Sequence, residues 1–340
     1  MMKKYLYIAL AAVALTGCSS DEAIEMVEQK AIAFDNVFVN NATRAIDINK
    51  DNIQDFGVYG SVAANNTQGM IFENTKVYKE GAAFKYNNTQ YWIAKAQYDF
   101  AAIAPYQNGE GATWTYTTTD AKNGTLTFNN ATAKADQDLL FAYKQPALTA
   151  DAITSQPAPV AFDFYHMLSR VQLTFVNAIP ATSNIELKVS EVKIKDTYNE
   201  GTLTVTNGAV AENWTVTSTD NTMEIAFANA DAKIPGAATG VTNYQTTEHH
   251  YLIPANDTYT VSFKVQLFQA GANLGTYPRE ATVALNLAKG NSYNVKATLT
   301  AENVLPNTLC PIEFTVNIVD SWETYTDVNT GTPYTPASNY

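Results

Sequence analysis

Cysteine is nearly absent from this chain: its 340 residues contain two, Cys18 and Cys310. Two thiols cannot make a disulfide framework, so packing must hold the fold together. Histidine is scarce as well, limited to His166, His249 and His250. No His-Glu-x-x-His, Gly-x-Ser-x-Gly, phosphate-loop or paired-cysteine pattern accompanies them, and no catalytic residue, metal or cofactor is expected. Basic residues are few, 21 Lys and Arg against 33 Asp and Glu, for a net charge of −12. That balance argues against nucleic acid as a partner and against docking on anionic lipid. Long apolar runs are missing too. The run from Tyr5 to Leu15 is too short to span a bilayer as a permanent helix. What is plentiful is Tyr, Thr, Val and Asn, a composition suited to half-buried strands.

The amino terminus has an order of its own. Lys3 and Lys4 precede the apolar run, and Leu15-Thr16-Gly17-Cys18 closes it. A basic start, a short apolar core and small residues before a cut describe a secretory signal. Leu-x-Gly-Cys is also the bacterial lipobox, in which the Cys18 thiol takes a diacylglyceryl group and becomes the new terminus. Each buried CH₂ of an acyl chain contributes about 0.8 kcal/mol, enough for a lipidated Cys18 to hold the precursor at a membrane. With Cys18 acylated, Cys310 has no intrachain partner. Ser19-Ser20-Asp21-Glu22 resembles the Ser-plus-acidic stretch that routes lipoproteins to the cell surface in Bacteroidetes.

Strand-like alternation recurs downstream. It predicts a strand over Ala31–Val39 with Ile32, Phe34 and Phe38 on one face. Further strands are expected over residues 56–60, 98–103, 170–176, 187–194, 201–206, 259–268, 282–287 and 293–300. A last one covers Ile312–Val319, with Ile312, Phe314, Val316 and Ile318 on one face. No amphipathic helix of three turns is evident. Ser155, Pro157 and Pro159 break the period between Ala147 and Pro159, and a domain boundary is expected there. Many short strands with polar turns indicate β-sandwiches.

Several segments together resemble the fimbrillins, the subunits of Bacteroidia (type V) pili. They are the lipobox, Phe56-Gly57-Val58-Tyr59, Asp99 to Tyr106, Asp138-Leu139-Leu140-Phe141-Ala142 and Phe164 to Val171. Tyr251-Leu252-Ile253-Pro254, Lys289-Gly290-Asn291-Ser292-Tyr293 and Trp322 complete the set. The resemblance implies an all-β protein with two transthyretin-like β-sandwich domains in tandem. The expected parts are a signal peptide over 1–17 and a lipidated propeptide with the first strand over 18–44. Sandwiches over 45–157 and 158–340 follow, the second ending in a strand and a polar tail.

The resemblance also implies an assembly route: export as a lipoprotein, cleavage after an arginine, and insertion of a neighbour's strand into the vacated groove. Arg44, in the small-residue loop Asn41–Ala45 just after the first alternating run, matches the cleavage position, which would make Ala45 the mature terminus. Exposed loops of small polar residues are preferred sites of nicking. Ile32, Phe34 and Phe38 would leave with the released strand. Ile312, Phe314, Val316 and Ile318 are the candidate donor strand, though this stretch also reads as the last core strand, and the tail after Trp322 remains an alternative donor. The implied partners are other copies of the chain, other fimbrial subunits, an Arg-specific protease and, before cleavage, the outer membrane. Retention of the lipid would instead make the chain an anchor or tip subunit.

Other readings of the same residues carry less. Asp47-Ile48-Asn49-Lys50-Asp51-Asn52 alternates oxygen ligands as calcium loops do, but lacks glycine at the sixth position and has Val58 at the twelfth. His249-His250 reads as a strand edge, His166 as packed between the domains, and Cys310 as a structural thiol. Trp92, Trp114 and Trp214 could stack on sugars in a surface glycan-binding lipoprotein, yet aromatic residues in sandwiches more often fill cores.

Overall fold

The computed structural model describes residues 29–35, 37–39, 52–64, 67–107, 111–116, 120–129, 137–147, 149–216, 222–228, 232–305 and 311–319. These fold almost wholly as strands arranged in four sheets. The first sheet is ordered β1 (Phe38–Val39), β9 (Asp163–His166), β8 (Leu140–Lys144), β5 (Gln97–Ala104), β2 (Asp55–Ala64), β3 (Thr67–Glu80), β4 (Ala83–Tyr86). The second runs β16 (Tyr244–Thr246), β10 (Ser169–Asn177), β20 (Ser292–Leu299), β21 (Glu313–Val319), with β17 (His250–Leu252) also on β10. The third runs β15 (Thr222–Phe227), β11 (Ile185–Tyr198), β18 (Asn256–Gln269), β19 (Ala272–Asn286). The fourth runs β13 (Ala209–Val210), β12 (Glu200–Thr206), β7 (Gly124–Asn129), β6 (Ala112–Tyr116), with β14 (Thr215–Val216) on β12. The helices among the described residues are one turn each, Ala181–Ser183 and Ala301–Val304.

The second and third sheets enclose one core. Tyr259, Val261, Phe263, Val265 and Leu267 alternate inward along β18, against Val171, Leu173 and Phe175 of β10. Ala270 and Gly271, both with positive φ, close the β18–β19 hairpin as a two-residue turn whose twist matches that of the strands. On the outer face of the third sheet, lysines and glutamates pair across strands, as Lys195 does with Glu280 and Lys264 with Glu191. Exposed pairs of this kind contribute at most about 1 kcal/mol each and serve mainly to keep the face wet.

The central strands β2 and β5 of the first sheet are buried on both faces, and this explains why they read as near-continuous apolar runs. Tyr98, Phe100, Ala102 and Ala104 of β5 face one core, while Ala101 and Ile103 face another. The second of these cores is covered by the fourth sheet, which takes β6 and β7 from the first half of the chain and β12, β13 and β14 from the second. The join is the antiparallel β7–β12 pair, from Asn129 opposite Glu200 to Gly124 opposite Val205. Asn207 and Gly208 form the turn after β12. The Gly208 N–H donates to the Lys122 carbonyl at 2.7 Å, and a Cβ at Gly208 would lie 2.1 Å from the Tyr143 ring. Only glycine fits there, because φ is +78° as well.

One sheet and one core thus belong to both halves of the chain. β9 pairs with β8, so residues 160–166 return to the first sheet beyond the expected break at 157/158, and the chain passes to the second sheet between His166 and Ser169. Ser155, Pro157 and Pro159 mark a surface connection within the first unit.

Because the third core is shared, the two halves should unfold together. Leu203, fully buried in β12, gives the test. Leu203→Ala should lower stability by about 2–5 kcal/mol and leave a single calorimetric transition. Two well-separated transitions, with only the later half destabilised, would show that the shared sheet does not couple them.

Candidate functional site

The released-strand candidate occupies a distinctive seat. Residues 30–32 bond to 90–92 on one side: the Ile32 N–H donates to the Gln90 carbonyl at 2.8 Å, and the Trp92 N–H to the Lys30 carbonyl at 2.9 Å. Residues 33–39 bond to 160–164 on the other. The Val160 N–H donates to the Ala33 carbonyl at 2.7 Å, the Asp35 N–H to the Val160 carbonyl at 3.3 Å, and the Phe38 N–H to the Phe162 carbonyl at 2.8 Å. Two side chains close over it. Tyr86 Oη donates to the Ile32 carbonyl at 2.7 Å, and Gln156 Nε2 to the Ala31 carbonyl at 2.8 Å. Burial raises the Tyr86 phenol above its ordinary pKa, which outweighs the opposing effect of its contact with the Gln90 backbone and keeps it a donor.

Phe34 is the centre of the seat. Its ring meets those of Phe56, Phe72, Tyr86, Phe100 and Phe162 at centroid distances of 5.5–6.4 Å, edge-on to four of them and stacked on Phe162. Ile32 and Phe34 are buried as expected, but Phe38 is 49% exposed and its place is taken by Val39, at 5%. The reason lies in the register. Phe34 stands opposite Val160 and Phe38 opposite Asp163, so four steps along the segment match three along its partner. The extra residue flips the alternation, as a bulge does, and the inward set becomes Ile32, Phe34 and Val39. At about 1.5–3 kcal/mol each, these three contribute roughly 5–9 kcal/mol gross, comparable with a domain's net stability.

The candidate donor strand lies in the second sheet. β21 pairs antiparallel with β20 along an unshifted register, from Glu313 opposite Thr298 to Val319 opposite Ser292, and β20 is its one strand neighbour among the described residues. Ile312 and Phe314 are buried in the core between the second and third sheets, with Val316 packed against it. Cys18, Arg44, Ala45, Asp47, Cys310, Trp322 and the side chain of Ile318 lie outside the described residues.

The remaining sequence features resolve simply. Trp92, Trp114 and Trp214 are buried in cores, with Trp214 Nε1 donating to the Met167 carbonyl at 2.8 Å, so none offers a sugar-stacking face. The His250 ring stands edge-on to Phe227. His166 is buried with Nδ1 2.7 Å from Asp138 Oδ2. This pair joins two of the segments that carried the resemblance, and two more meet them at the junction of the halves. Arg170, 1% exposed, donates from Nε to Ser292 Oγ at 3.2 Å and pairs with Tyr251 across β10–β17. These segments are the weld between the first and second sheets. The walls of the seat, by contrast, escaped the sequence reading: Phe72, Tyr86, Val160 and Phe162 come from distant stretches that alternation alone does not bring together.

The described residues are nearly all strand, and the segment 30–39 is seated between two distant stretches of the chain. Residues 43–318 match the fimbrillin-like family, and the chain belongs to it. Residues 2–19, which include Cys18, match the prokaryotic membrane lipoprotein lipid attachment site. Together the two matches describe a membrane-anchored surface protein of fimbrial type. No curated protein sequence matches the chain. Among solved structures, a fimbrial protein from Bacteroides vulgatus ATCC 8482 superposes with a TM-score of 0.60 at 17% identity, covering 86% of this chain and 100% of its own. A protein from Bacteroides uniformis ATCC 8492 assigned to cell adhesion gives 0.50 at 17% identity, covering 87% and 99%. These likenesses show the shared fold.

The seat makes a contrast in the full-length chain. Phe34→Ala should cost about 3–5 kcal/mol, whereas Phe38→Ser, at an exposed position, should stay within about 0.5 kcal/mol. Urea denaturation of the two variants checks both, and equal losses would mean that Phe38 shares the buried face after all.

Proposed function

We propose that this protein is a shaft subunit of a surface fimbria, exported to the outer membrane as a lipoprotein on Cys18, cut after Arg44 by an Arg-specific protease, and polymerised by strand exchange. One observation supports the reading above the others: the first segment is seated by the same interactions that would receive a stranger's strand. It is hydrogen-bonded through its backbone on both sides and filled by alternate side chains, as in recognition by strand addition. Phe34 completes an aromatic cluster whose other rings all come from residues beyond Arg44. Once the chain is cut in residues 40–51, only non-covalent contacts retain the segment. Its loss would leave those rings and the edges of 90–92 and 160–164 facing water, a state strongly driven to refill. The refilling strand is that of a neighbouring copy, with Ile312–Val319 the candidate.

Mass-spectrometric or Edman analysis of shed fimbriae should find Ala45 at the amino terminus. Arg44→Ala should leave lipidated monomers on the cell and no polymer, because the first segment keeps its own seat. Assembled material that begins only at acylated Cys18 would overturn the shaft role and indicate a lipid-retaining anchor. Cys18→Ala should lose membrane attachment and surface display, since the thiol is the group that accepts the lipid. Polymer at normal levels on cells carrying that variant would rule out the lipoprotein route.

A further inference from the structure

The three residues that the structure buries in the seat are Ile32, Phe34 and Val39, spaced two and then five apart. The pattern Ile-x-Phe-x-x-x-x-Val occurs twice in the whole chain, at 32–39 and at Ile312, Phe314 and Val319. The second occurrence lies in β21, which among the described residues is an edge strand with a strand neighbour on one side. The spacing is not that of a regular strand, whose inward positions would be 312, 314, 316 and 318. It is the spacing that the seat imposes through its extra residue between positions 34 and 38.

Resting on the strand-exchange reading, we infer that residues 312–319 of a second copy enter the seat in the register and direction of residues 32–39. Ile312 replaces Ile32, Phe314 replaces Phe34 and Val319 replaces Val39. The strand changes its inward set on transfer. In its own sheet β21 follows an unshifted register. In the neighbour's seat Val316 takes the place of Asn36, a polar position, and Ile318 takes the place of Phe38. Phe38 stands opposite Asp163 on the exposed face that Tyr165 shares, at 49% and 51% exposure. Ile318 therefore lies outward beside Tyr165 rather than in the core. The direction follows from the pattern, because spacings of two and five reverse to five and two and would put Asn317 in the pocket of Phe34. Parallel pairing with 160–164 is thus retained.

Paired cysteines read this register at the strand's outward position in the seat. In the cut subunit with Cys310→Ser, Asp163→Cys combined with Ile318→Cys should give an oxidised ladder of linked subunits on non-reducing gels. Asp163→Cys with Asn317→Cys, the partner expected if no extra residue is accommodated, should give at least tenfold less. A synthetic peptide of residues 311–320 carrying Ile318→Cys should likewise label the cut Asp163→Cys subunit, which holds the test independent of whether the double variant folds. Polymers that link through residue 317, or through neither position, overturn the register while leaving strand exchange in place. If the cut, otherwise unaltered subunit forms no polymer at all, the exchange reading fails and this inference falls with it.

Discussion

The structure depends on one side chain that enters a core from outside. Phe56, Phe72, Tyr86, Phe100 and Phe162 come from strands or segments spread over more than a hundred residues, and each turns its ring toward Phe34. Interiors are packed to the density of organic crystals, so five rings cannot close over the space of a sixth without leaving a void. The first core is therefore incomplete without an occupant of the seat. That occupant belongs to a segment bonded through its backbone edges and joined to the rest through residues 40–51.

The other face of the same sheet is arranged in the opposite sense. There Tyr59, Ala101, Ile103 and Phe141 pack under the fourth sheet, to which both halves contribute strands. The alternation of β5 separates the two roles: Phe100 and Ala102 serve the seat, and Ala101 and Ile103 serve the weld. Strands β2, β5 and β8 are thus held from behind while their front face is completed by the segment 30–39. The buried His166–Asp138 and Arg170–Ser292 contacts lie at the passage from first to second sheet and extend that hold into the second half. On the proposed strand exchange, a subunit that gives up its first segment and still carries load along a fibre requires both properties at once.

Much of this was legible in the residues, for reasons that differ by element. β18 alternates one face to the core and one to water, so its period of two is plain. β2 and β5 are covered on both faces and read as continuous apolar runs, whose strand character came from β-formers and short length. The stretch 67–86 sets apolar residues side by side, as in Met70-Ile71-Phe72 and Ala82-Ala83-Phe84, rather than alternately, and periodicity had little to detect there. The placement of Phe38 failed for a definite reason: one extra residue against the partner strand reverses the faces, and that residue has no mark of its own in the sequence. The turn-forming residues at 147–159 serve a surface connection, after which the chain rejoins the sheet it left through the β8–β9 pair.

A strand exchange between like residues sets its own thermodynamic condition. If Ile, Phe and Val leave the seat and the same three types return, the gross burial of the seat is unchanged, and side-chain transfer alone gives no direction. Direction must come from elsewhere. A severed first segment gains translational freedom on leaving, which favours its loss while no covalent link returns it. An incoming β21 exchanges bonding along one edge for bonding along two stretches, 90–92 and 160–164. It also abandons its place against β20, where Ile312 and Phe314 contribute two of the many residues in that core. The balance favours exchange only after the cut, since an intact segment is held at high effective concentration beside its own seat. Cleavage, on this account, acts as the switch because the occupant and its replacement are so nearly alike.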